Sequence, residues 1–165
     1  MNKRSLTAHR SLISRSGFSY IELLVVMGII AIIGITMLVS LGSRKRTADL
    51  TTTTQRMASL LREAQSRSMG QASSSAWGVH FDNGGTPFFA LFSGTYSTSS
   101  RESYYPLPLS VSYVTSTIAA NRFAEVTFAQ ISGLASGSTT IRIALTISPT
   151  SSSTLTIDPS GAVSY

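Results

Sequence analysis

The stretch Gly17-Phe18-Ser19-Tyr20-Ile21-Glu22 places a small residue, an aromatic residue and a carboxylate at spacings that fit one reaction and its consequence. Glu22 heads a run, Leu23 to Ser43, that contains no charged residue. Moving a carboxylate from water toward the middle of a hydrocarbon environment costs on the order of 2–3 kcal/mol, less near its edge, so a cation must offset it. Hydrolysis of the peptide bond after Gly17 would supply that cation. It frees the amino group of Phe18, about one helical turn from Glu22.

Other readings fit parts of this pattern. Ser19 and Glu22 have the spacing of a capping box, in which the glutamate satisfies an orphan amide at a helix start. A basic head followed by an apolar run and the small residues Ser40-Leu41-Gly42 resembles a general secretory signal peptide, although the run is long and carries Glu22. An unprocessed single-pass anchor is the third. None of the three requires glycine, phenylalanine and glutamate together.

The string Arg15-Ser16-Gly17-Phe18-Ser19-Tyr20-Ile21-Glu22-Leu23-Leu24-Val25-Val26 resembles the prepilin signal of type IV pilins and type II secretion pseudopilins. The resemblance implies cleavage between Gly17 and Phe18 by a membrane prepilin peptidase and N-methylation of Phe18. It also implies pairing of Glu22 with the terminal amine of a neighbouring subunit during filament assembly. Tyr20 departs from the aliphatic residue more usual in the family. Implied partners are the peptidase, other pilin or pseudopilin subunits, an inner-membrane assembly platform, and the lipid bilayer before assembly.

Charge is distributed unevenly. The formal net charge is +6 and the isoelectric point about 10.2. Lys3, Arg4, Arg10 and Arg15 all precede Phe18 and have no acidic neighbour there, while Arg44, Lys45 and Arg46 follow the apolar run. Beyond residue 46, Arg56, Arg62, Arg67, Arg101, Arg122 and Arg142 are matched one for one by Asp49, Glu63, Asp82, Glu102, Glu125 and Asp158. A neutral head argues against phosphate-backbone binding, which depends on clustered cations. The chain has no cysteine, so no disulfide staples an exported domain, unlike many major pilins. His9 and His80 show no metal-ligand spacing, and His80 reads as a solvent-facing strand residue. No nucleophile, phosphate-loop or paired-carboxylate motif stands out, so neither an enzyme nor a cofactor is expected.

The elements that must position these residues follow from periodicity. Gly28, Ala31 and Gly34 recur at three-residue spacing in the apolar run and would let another helix approach closely. Leu50, Met57, Leu60, Leu61, Ala64 and Met69 mark an amphipathic helix stopped at Gly70, with Arg56, Arg62, Glu63 and Arg67 on its other face. Residues 55–67, with the strand at Trp77–Phe81, resemble the start of an H-type pseudopilin or FimT-like head. Strands are expected at Trp77–Phe81 and Thr86–Phe92 around Asp82-Asn83-Gly84-Gly85, and at Leu109–Val114, Ala124–Ile131, Thr139–Ser148 and Ser153–Ile157. A last hairpin turns at Asp158-Pro159-Ser160-Gly161, and Arg101–Pro108 reads as a surface loop whose Tyr104 and Tyr105 pack or meet a partner.

The expected fold is α+β and pilin-like: a long N-terminal hydrophobic helix continuing into an amphipathic helix packed against an antiparallel β-sheet head. The expected divisions are a cleaved leader (1–17), a transmembrane or filament-core helix (18–43), an amphipathic helix (44–70) and a β head (71–165). The expected function is a structural subunit of a type IV pilus or type II secretion-like filament, anchored in the cytoplasmic membrane with its head outside. Two other classes are a FimT-like DNA-binding minor pilin for natural transformation and a membrane-tethered binding module that never polymerises.

Overall fold

A computed structural model describes residues 17–165, apart from the side chains of residues 36–41; the expected leader therefore lies outside the described residues, except for Gly17. The chain divides into two compact units at Ser40/Leu41. Helix α1 is assigned to Tyr20–Met69, with Glu22 in its first turn and Arg67 in its last, each charge favourable to the helix dipole. The helix ends as expected before Gly70. The left-handed residue that turns the chain is Gln71, at φ 52°, and not the glycine.

Two expectations about the fold are corrected. Among the described residues, no helix is long and apolar enough to cross a membrane. Glu22 falls in the first turn of α1, and the basic residues Arg44, Lys45 and Arg46 lie within the same helix. Among the described residues the expected long hydrophobic helix is therefore absent; α1 is one mixed helix, apolar over part of its length. The β region, moreover, is two sheets.

Eight strands follow α1: β1 (Trp77–Asp82), β2 (Phe88–Ser93), β3 (Arg101–Pro106), β4 (Val111–Tyr113), β5 (Phe123–Phe128), β6 (Thr139–Leu145), β7 (Ser152–Ile157) and β8 (Val163–Ser164). They form two four-stranded antiparallel sheets, ordered β3-β2-β1-β5 and β4-β6-β7-β8. The β1–β2 hairpin forms around the expected turn, where the Asp82 carboxylate accepts the Gly84 N–H at 2.6 Å. The β7–β8 hairpin closes through Asp158 and Gly161, whose N–H donates to the Asp158 carbonyl at 2.8 Å. The segment read as a surface loop is the edge strand β3. It alternates half-buried Arg101, Ser103 and Tyr105 with exposed Glu102, Tyr104 and Pro106, and a proline is tolerated there because an edge strand has one unpaired side. Strand β6 stops at Leu145, so Ile147 does not continue the buried row and is exposed.

Both sheets share one apolar core with α1. Leu50, Met57, Ala58, Leu60, Leu61 and Ala64 lie in a single buried cluster with Phe81, Phe89 and Val126 of the first sheet and Ile141, Ile143, Leu155 and Ile157 of the second. Met69, the last position of the expected stripe, is exposed. Thr51–Thr54 lower intrinsic helix propensity through their β-branched side chains, yet Thr53 and Thr54 are buried and the Thr54 hydroxyl donates to the Leu50 carbonyl at 2.9 Å. At the other end of this packing, buried Ser68 ties α1 to β1: its hydroxyl accepts the Trp77 N–H at 2.8 Å. The Trp77 indole N–H donates to the Ala72 carbonyl at 2.8 Å.

Strand β1 is central in its sheet and closely approached by both neighbours. A Cβ at Gly78 would meet the Val126 carbonyl oxygen at 2.6 Å and the Phe92 ring at 2.8 Å. The carbonyl belongs to a paired strand and cannot swing aside. Gly78→Ala should therefore lower the stability of the folded chain by about 1–3 kcal/mol, read as a reduced midpoint in thermal or urea unfolding.

Candidate functional site

The residues singled out by chemistry occupy the start of the described chain. A Cβ built at Gly17 meets nothing within 4 Å, and Phe18 is 79% exposed, so the bond between them is open on the protein side. The Leu23 N–H donates to the Ser19 carbonyl at 3.1 Å, which starts the helix one residue after Phe18-Ser19. Glu22 is exposed in the first turn. Among the described residues it takes part in no salt bridge, and no side-chain hydrogen bond links Ser19 and Glu22 as a capping box would. The carboxylate is thus free for a partner.

Below it the surface is apolar. Phe18, Leu23, Val26, Met27 and Ile30 line a shallow recess of about 290 Å³, and Tyr20, Ile21, Ile29, Ile32, Ile33 and Ile35 are exposed as well. Gly28 and Gly34 have no neighbour within 4 Å of a built Cβ, so close approach by another helix is sterically open there. Chemically, the segment offers a peptide bond whose hydrolysis yields an ammonium group, a carboxylate one turn away, and an uncovered apolar surface.

The head contains no comparable arrangement. Among the described residues, no group of three His, Cys, Asp or Glu side chains could hold a metal ion. His80, expected to face solvent, is instead buried at 3% exposure. Its Nδ1 lies 2.8 Å from Glu125 Oε1, its Nε2 lies 3.6 Å from Asp82 Oδ2 without a hydrogen bond, and the ring stacks on Tyr96 at 3.6 Å. Strand alternation does place His80 on the face away from α1. The cover comes from elsewhere: Tyr96 of the β2–β3 connection, Phe88 and Phe123 close over it. The two carboxylates sit at opposite ring nitrogens, so they cannot share one ion with the imidazole.

Sequence reasoning also missed Tyr113. This residue of β4 is buried, and its hydroxyl donates to the Phe88 carbonyl of β2 at 2.9 Å, joining the two sheets. Burial, reinforced by the Asp82 carboxylate, pushes its phenol far above the ordinary value of 10.0. The Val111-Ser112-Tyr113 alternation was the available signal, but the partner strand is far away in sequence. Comparison with family models, with curated proteins and with solved structures finds no match to this chain.

The Tyr113 bond gives a pH-dependent expectation. The unfolded phenol ionises as pH passes about 10 while the buried one stays neutral, so stability is full below that pH and falls above it. Tyr113→Phe should cost about 1 kcal/mol at neutral pH through the unpaired Phe88 carbonyl, and the loss of stability above pH 10 should be shallower than in the parent chain. Urea unfolding at pH 7 and at pH 10.5 measures both.

Proposed function

We propose that this chain is a filament subunit of the type IV pilin and type II secretion pseudopilin class, which acts by assembly and not by catalysis. A prepilin peptidase cuts it between Gly17 and Phe18, the new terminus is methylated, and Glu22 receives the terminal amine of a neighbouring subunit. The observation that carries this reading is the exposed Glu22 carboxylate, without an ion pair among the described residues, one turn from an open Gly17–Phe18 bond. The uncovered apolar residues between Phe18 and Ile35 support it, because a surface of that size is stable only under lipid or other subunits. An inner-membrane platform would pass the subunit from the bilayer to the filament, with the head outside the cytoplasm.

Neither rival gains a comparable observation. DNA binding needs a clustered excess of cations, but those beyond residue 46 are matched one for one by acidic residues, which leaves only Arg44, Lys45 and Arg46. The guanidinium groups of Arg56, Arg62, Arg67 and Arg101 lie over the rings of Tyr105, Tyr165, Trp77 and Tyr104, and Arg67 also pairs with Glu63 at 2.6 Å. A tethered module that never polymerises leaves the free carboxylate without a purpose. Mass spectrometry of the protein recovered from its host should find a terminus at Phe18 carrying an added methyl group. A chain that keeps Met1, or begins after Gly42, would overturn the proposal.

A further inference from the structure

At the start of the second unit, Arg44, Lys45 and Arg46 are all exposed, and none takes part in a salt bridge among the described residues. The nearest acidic residue in the sequence, Asp49, is engaged: its Oδ2 accepts the Ser110 hydroxyl at 2.7 Å. That bond brings the turn before β4 against the basic segment of α1. Lys45 and Arg46 consequently line a recess of about 540 Å³ together with Pro108, Leu109 and Ser110.

Leu109 is 99% exposed. Beside it, the Thr146 N–H donates to the Ser110 carbonyl at 3.0 Å and the Thr146 hydroxyl to the Leu109 carbonyl at 3.3 Å, which holds Ile147, itself 70% exposed, next to the same turn. One end of the head thus presents the free cations Lys45 and Arg46 beside the bare side chain of Leu109, with Ile147 tethered to the same turn through Thr146 and Arg44 adjacent in the helix on a neighbouring recess. Cations alone would suit any polyanion. Aliphatic side chains raised beside them suit a surface with negative headgroups over hydrocarbon, which they enter without cost, whereas duplex DNA accepts them only by unstacking base steps.

We propose that Arg44, Lys45, Arg46, Leu109 and Ile147 form a docking surface for anionic lipid headgroups on the head itself. This surface is separate from the apolar N-terminal segment and does not rest on the filament reading; its failure would leave cleavage after Gly17 untouched. Each cation near a negatively charged surface strengthens binding several-fold, so three give on the order of a hundredfold.

The chain has no cysteine, so Leu109→Cys creates a single labelling position for an environment-sensitive dye in the full chain. Whether or not the N-terminal segment also binds vesicles, the dye at position 109 leaves water only when the head docks. With vesicles containing phosphatidylglycerol at low salt, the dye should shift to the blue at about a hundredfold less lipid than with pure phosphatidylcholine. Replacing Arg44, Lys45 and Arg46 together with serine should remove that preference, whereas Arg62→Gln, more than four turns further along α1, should keep it. Ile147→Cys labelled in the same way should report the same preference. A dye that stays in water with both vesicle types, a shift equal in the two, or a shift produced by duplex DNA and not by vesicles would overturn the proposal.

Discussion

Met57, Leu61 and Ala64 follow one another along one face of α1, fully or almost fully sealed from water, and they share their core with the inner rows of both sheets. A four-stranded sheet with one apolar face is not stable until that face is covered, and here one helix segment covers two. The remaining features of the head follow from this shared cover. The two sheets can meet only around α1, so strands of different sheets come close enough for the Tyr113 hydroxyl to reach the Phe88 carbonyl. Ser68, Trp77 and Gln65 then fasten the connections that must cross the end of the helix, with the Gln65 amide donating to the Gly133 carbonyl at 3.1 Å. The β-branched run at Thr51–Thr54, poor helix formers in isolation, stays helical under the same packing.

The first unit follows the opposite logic. Its described apolar residues, Phe18 to Ile35, are exposed, and its one carboxylate has no counter-ion among the described residues. The head is largely satisfied internally, with arginines stacked on rings and buried hydroxyls bonded; the exception among its buried side-chain polar atoms is His80 Nε2. Chemistry that needs a partner is therefore concentrated where the chain leaves its own groups unsatisfied: at Phe18 and Glu22, and, on the head, at the basic segment beside Leu109.

What could be read from the sequence divides along the same line between local and non-local causes. The amphipathic stripe of α1 from Leu50 to Ala64, the turn between β1 and β2 and the inward row Ile141, Ile143 and Leu145 of β6 are written in adjacent residues, and the structure contains all three, while Met69 and Ile147 are exposed. The pairing of β1 with β5 and of β4 with β6 joins residues far apart in sequence, so the division into two sheets could not be read. Strand β3 was hidden by its polar composition and by Pro106 at its end with Pro108 just beyond, and the burial of His80 by a cover that arrives from Tyr96 and Phe123. The apolar run was read by counting uncharged residues through to Ser43, whereas among the described residues no helix is long and apolar enough to cross a membrane. Gly17, Phe18 and Glu22 could be read as a group because they lie within about one helical turn, and among the described residues no ion pair engages Glu22.

The central claim is that the Glu22 carboxylate exists to meet an ammonium group on another subunit, and Glu22→Gln tests it most directly. The variant keeps size and helix position but removes the charge, so cleavage after Gly17 should continue while recruitment fails. In the host, the amount of processed protein in sheared filaments relative to the membrane fraction should fall about tenfold or more, because the neighbour's amine loses its partner in an apolar setting. Filaments that take up Glu22→Gln at the parental level would contradict the claim, and would leave Glu22 as nothing more than a favourable charge at a helix start.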